Sequence, residues 1–158
     1  MTQSLQDTYA PNNACFGCGP ANEKGLRIKS LPVDDTDPQG DVVCQWMPES
    51  HHQAFEGMLN GGIIGSLLDC HCNWTAAWHQ TRRDELDTPP CTVTAEYHVV
   101  MRKPTPSGRP VLLAARVIAS EGPKVTVESE LSSDGVVTAT CTGLFVAVKP
   151  GHPAYSRW

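Results

Sequence analysis

Residues 57–79 read GMLNGGIIGSLLDCHCNWTAAWH, and the one carboxylate in that run is Asp69. Eight residues before it stands Gly61, the first of a Gly61-Gly62 pair that follows Asn60. Free N–H groups at the start of a helix carry about half a positive charge and can hold a developing oxyanion. Glycines at that point let a carbonyl reach the backbone with no Cβ in the way. A mid-helix carboxylate without basic neighbours is costly unless it is used. Here its use would be to activate water or to attack directly. The two features are the parts of a machine for attack on a polarised carbonyl. They cannot act together within one chain, because eight residues at 1.5 Å each place Asp69 about 12 Å along the axis from Gly61. An opposing helix from a second copy closes the gap, and a two-fold dimer does so twice.

Several other residues invite chemistry. Asn60 is placed either to cap the helix or to contact substrate. Ser66 lies on the same small, polar face as Gly62, Gly65, Asp69, Asn73 and Ala76. No Lys, Arg or Glu joins that face, so a partner helix or a ligand is expected against it. His51 and His52 precede the helix and can reach a ligand. Cys15 and Cys18 form a C-x-x-C pair, half of a structural zinc site. No second pair follows in sequence, and Cys70 and Cys72 diverge on a helix, so a turn motif is the preferred reading and no metal is expected. Cys70, Cys72 and Cys141 read as small apolar fillers.

The elements that position these residues follow from periodicity. With Leu59 at zero and 100° per residue, Leu59, Ile63, Ile64, Leu67, Leu68, His71, Trp74 and Trp78 form one broad apolar stripe. The helix is expected over residues 57–79, entered through the Gly61-Gly62 step and ending near residues 79–83. Strands are expected at 26–31 and 41–47 before it. Four more follow, at 92–102, 111–120, 124–131 and 136–148. In the first of these four, simple alternation sets Val93, Ala95, Tyr97, Val99 and Met101 on one face and Thr94, Glu96, His98 and Val100 on the other. Thr94 is a β-former facing the helix. Ser133-Asp134-Gly135 marks a hairpin. Short turns imply an antiparallel sheet, so the class is α+β, with one long helix lying across about five to six strands. That arrangement is the hotdog fold.

The 158 residues fit a single domain, expected at 15–148 with a flexible arm at 1–14 and an irregular tail at 149–158. The net charge of −5 argues against a nucleic-acid partner. The polar N-terminus is not a secretory signal, and the long helix carries too many polar residues to span a membrane. Seven cysteines without an export signal read as reduced thiols in a cytoplasmic protein.

Three segments carry a family resemblance. C-F-G-C-G-P-x-N-x-x-G-L at residues 15–26 resembles the N-terminal signature of many hotdog thioesterase-superfamily proteins. FEGMLNGGIIGSLLD at 55–69 is similar to their helix-start motif, commonly G-x-x-H-G-G-x-x-x-x-L-x-D. TVTAEYHVVMRKPTP at 92–106 resembles the strand that follows. The nearest group is the PaaI-like thioesterases. The resemblance implies an acyl-CoA thioesterase acting as a homodimer or a dimer of dimers, with no cofactor beyond the coenzyme A thioester itself. It assigns the carbonyl site to Gly61 and Gly62, the carboxylate to Asp69 and a water-holding hydroxyl to Thr94. Asn60 stands where the family usually has His, and Ala54 where several relatives have Asn. His52, Phe55 and Ser66 would line the substrate site, and the cluster Arg102, Lys103 and Arg109 would meet the coenzyme A phosphates. A non-catalytic acyl-CoA-binding hotdog protein and a zinc-stapled interaction module are the rival readings.

Overall fold

The computed structural model describes residues 3–158, so the first two residues of the expected arm lie outside it. One helix, α2 (Gly61–Arg83), lies against a six-stranded antiparallel sheet. Ahead of it come α1 (Leu5–Tyr9), β1 (Leu31–Pro32), β2 (Val42–Trp46) and the small hairpin of β3 (Gln53–Phe55) and β4 (Met58–Leu59). After it come β5 (Thr92–Met101), β6 (Val111–Glu121), β7 (Lys124–Ser133) and β8 (Val136–Ala147). The sheet order is β1-β2-β6-β7-β8-β5, which leaves β5 on an edge. The helix packs on β5, β6, β7 and β8.

Core and stripe agree with the periodicity. Ile64, Leu67, Leu68, Trp74 and Trp78 are buried against Val111, Leu113, Val127, Leu131 and Phe145. The small-residue face behaves differently along its length. Gly61 and Gly62 are exposed and Ser66 and Asp69 partly so, but Asn73 and Ala76 are buried. At Asn73 both β5 and the C-terminal tail close over the helix, Asn73 bonding Thr92 directly. Trp158 stacks on Trp74 with centroids 4.5 Å apart, and Arg157 donates to the Thr92 carbonyl, beside Asn73.

Four expectations need correction. The helix begins at Gly61, because Asn60 is extended at φ −64°, ψ 135° and the preceding residues pair as a hairpin. The strand expected at 26–31 shrinks to Leu31–Pro32, since the backbone before it bonds instead to the loop at Phe16 and Gly17. The segment ahead of residue 15 is not a free arm. Leu5 and Ala10 are buried, and Gln6 reads Ser30 with both ends of its amide: Nε2 donates to Ser30 Oγ and Oε1 accepts from Ser30 N–H. The fourth concerns β5. Its pairing with β8 slips between Thr94 and Glu96, so Ala95 is an extra residue, a bulge. A bulge inverts the alternation beyond it. Thr94 and Tyr97, assigned to opposite faces by simple counting, therefore both meet the helix.

Candidate active site

Asn60 is the helix cap. Its Oδ1 accepts from the N–H of Gly62 at 2.8 Å and of Ile63 at 3.2 Å. That resolves the choice between cap and substrate contact for the oxygen, and it also consumes the Gly62 donor. The Gly61 N–H has no acceptor among the described residues, so it is left open at the start of the helix. A Cβ at Gly61 would touch only Met101 Cε, at 3.6 Å.

Phe55, Met58, Gly61, Ile64 and Met101 line a groove of about 380 Å³ with Arg102 and Lys103 at its rim. Ala54, in the position where several relatives carry Asn, is on this wall too. Phe55 is 64% exposed, a large apolar side chain left mostly open on the groove wall.

Asp69 sits two turns along α2, outside that groove. Its Oδ1 accepts from Thr94 Oγ1 at 2.6 Å. Burial raises the carboxyl above its ordinary value, while the Thr94 hydroxyl and the Arg157 charge pull it down. A carboxylate held this way is a stronger base than one in open water. Tyr97 lies across from Gly65, its hydroxyl 3.9 Å from where a Cβ would be. Ser66 donates to the Gly62 carbonyl at 3.0 Å, on the open face between the two halves.

The sheet-and-helix architecture matches many solved structures. A thioesterase superfamily protein from Shewanella loihica PV-4 is 27% identical, with 91% of this chain and 99% of that one covered and a TM-score of 0.67. The E. coli PaaI protein from the phenylacetic acid degradation operon is 14% identical over 78% and 81%, TM-score 0.65. A Streptococcus mutans protein solved bound to acetyl-CoA is 15% identical over 77% and 88%, TM-score 0.61. The chain has the hotdog fold of the thioesterase superfamily. A further thioesterase superfamily structure, 23% identical with TM-score 0.68 over 85% of this chain, is longer, and this hotdog chain covers 63% of its length. No family model and no curated relative matches the sequence.

Within this hotdog frame the remaining residues sort by position. His52 is buried, its ring tilted against Trp46 with centroids 4.9 Å apart, and its Nδ1 accepts from the Glu49 N–H. It serves the turn before β3 and is absent from the groove wall. Arg109, unlike Arg102 and Lys103, is not on the groove wall; it pairs with Asp134 in the β7–β8 turn. Trp46 donates its indole N–H to the Leu26 carbonyl in the core, and none of Trp46, Trp74 and Trp78 reaches the groove. Sequence reading missed Met101 as a wall residue and Tyr97 as a neighbour of Gly65, both hidden by the bulge. Cys70 packs against the core as expected, but sequence reading missed that its sulfur lies with those of Cys15 and Cys18. Cys72 and Cys141 are buried as expected.

Proposed function

We propose that the protein hydrolyses an acyl-coenzyme A thioester at a site shared by two copies of the chain. The observation that carries this reading is the half-buried Asp69–Thr94 pair on the small-residue face of α2, with an unoccupied Gly61 N–H at the exposed head of that face. Two α2 helices packed antiparallel would bring the Gly61 of one chain toward the Asp69 of the other. Asp69 takes a proton from water, the water oxygen attacks the thioester carbonyl carbon, and the oxyanion rests on the Gly61 N–H. Collapse expels the coenzyme A thiolate, which takes up a proton, and the acid leaves. Thr94 holds the carboxylate in place. Arg102 and Lys103 at the groove rim suit the phosphates of coenzyme A, and the apolar groove beside Phe55 and Met101 suits the acyl part or the pantetheine arm. A similar structure was solved with acetyl-CoA bound, which supports this ligand class.

The test is thiol release from short, medium, long and aromatic acyl-CoAs. Asp69→Asn is expected to lose roughly 10²–10⁴-fold in turnover, the range for a general base. A wild-type rate in that variant would sink the mechanism. A second reading, a non-catalytic acyl-CoA binder, is favoured by one observation: the Asn60 oxygen is committed to the cap and cannot replace a base. Calorimetry showing acyl-CoA binding without thiol release would select it.

A further inference from the structure

Cys15 and Cys18 belong to the loop at residues 15–26, and Cys70 belongs to α2, 55 residues after Cys15. Their three Sγ atoms lie within 4.8 Å of one another. Cys15 and Cys70 are 3.8 Å apart, sulfur to sulfur. Two sulfurs each about 2.3 Å from one zinc ion at the tetrahedral angle stand roughly 3.8 Å apart. We propose that Cys15, Cys18 and Cys70 form a binding site for one thiophilic d¹⁰ metal ion, with Zn²⁺ as the reference case, which staples the loop to α2.

The loop is shaped for this by its own backbone. Asn13 Oδ1 accepts from the Cys15 N–H at 2.8 Å, the Cys15 carbonyl accepts from the Gly19 N–H at 2.8 Å, and Phe16 and Gly17 carbonyls accept from Leu26 and Ile28. A Cβ on Gly17 would overlap the Cys70 sulfur, and one on Gly19 would overlap the Cys15 backbone. Glycine at both positions is what allows the loop to close over the helix thiol. The helix supplies a supporting donor. Trp74 is 1% exposed, and its indole N–H has no hydrogen-bond partner. It follows Cys70 by one turn of α2, on the same side of the helix. A metal-bound sulfur accepts such a bond better than a thiol does. Cys72, two residues along the helix, points instead to Ser129 on β7, so the cluster holds three thiols. Three thiolates suit a trigonal ion, or a tetrahedral one whose fourth position is filled from solvent.

Each thiol gives up its proton to solvent on binding, so affinity falls as pH falls. The proposal makes no use of the hydrolase reading and needs no activity assay. The full-length chain, kept reduced, is titrated with Co²⁺ and then Zn²⁺. The expected result is one ion per chain, a thiolate-to-cobalt charge-transfer band that zinc abolishes, and zinc protection of Cys15, Cys18 and Cys70 from alkylation. Cys15→Ser changes a partly exposed loop residue, so it keeps the fold. It should bind more weakly by over roughly 100-fold, beyond what loss of a supporting contact costs. Cys70→Ser should do the same, and Cys91→Ser, outside the cluster, should bind as wild type. The proposal is overturned if the reduced wild type shows no band and retains no zinc. It is also overturned if Cys15→Ser binds as tightly as wild type, or if the protected cysteines are others.

Discussion

Asp69 meets two opposing influences. Burial holds its proton on, and the Thr94 hydroxyl helps take it off. Removing the hydroxyl should therefore raise the carboxyl further. In Thr94→Val the acid limb of kcat/KM is expected to move to higher pH, with the plateau rate reduced less than in Asp69→Asn. An unmoved limb would mean that Asp69 does not govern it. The same balance has a sign for stability. A folded-state pKa above the unfolded value favours folding fully below the unfolded value. That advantage is lost as pH rises through the folded one. Asp69 is thus a cost to the fold at neutral pH, a cost expected of a group kept for chemistry.

At the scale of elements, one buried chain of polar groups joins four parts of the molecule. Gln6 in α1 donates to Ser30 ahead of β1, Ser30 Oγ meets His71 Nδ1 in α2 at 2.9 Å, and His71 Nε2 donates to the Val42 carbonyl in β2. The Val42 carbonyl requires Nε2 as the donor, and burial favours the neutral imidazole, with Nδ1 accepting from the serine. Complete burial pushes its pKa down to about 4. A lowered histidine contributes stability that is whole above the unfolded value, near 6.5, and is lost as pH falls toward 4. The denaturation midpoint of the wild type is expected to drop across that window. His71→Gln should be less stable throughout but flatter in pH, and equal slopes in the two proteins would refute the assignment. The β5 bulge is the other device of this scale. It places Thr94 on Asp69 and Tyr97 on Gly65 along one strand, which an unbroken alternation cannot do.

For the whole molecule the decisive matter is whether a second copy of the chain completes the site, as proposed above. β5 is a ten-residue edge strand with Tyr97 and Met101 exposed, beside the exposed Gly61-Gly62 start of α2. Long unpaired edges and bare apolar side chains call for a cover. If the site is shared, two inactive variants must rescue each other. Gly61→Ala adds a Cβ that the fold tolerates but that blocks the carbonyl's approach, expected to cost on the order of 100-fold. Asp69→Asn removes the base. Refolded together at equal amounts, random pairing makes half the dimers mixed, each with one intact site, so roughly a quarter of wild-type activity should return. No return above the sum of the two variants would place both halves within one chain's own site and end the shared-site model.

Periodicity alone located α2, the long strands after it and the lone carboxylate, because a helix stripe and a β alternation are written locally in the residues. The Asp-Gly turn between β7 and β8 was legible for the same reason, as Asp134 and Gly135 both take positive φ. Tertiary structure decided the rest. An inserted residue in β5 carries no local mark, since Ala95 reads like any strand residue until its partner strand is seen. Arg109 is off the groove wall and pairs with Asp134 on a turn 25 residues away. The N-terminal segment reads as polar and loose, yet Gln6 is ordered by a serine and a histidine that only folding brings to it. The third thiol beside Cys15 and Cys18 comes from the helix. Spacing along a chain shows ligands that neighbours supply, and only a fold shows those that arrive from 55 residues away.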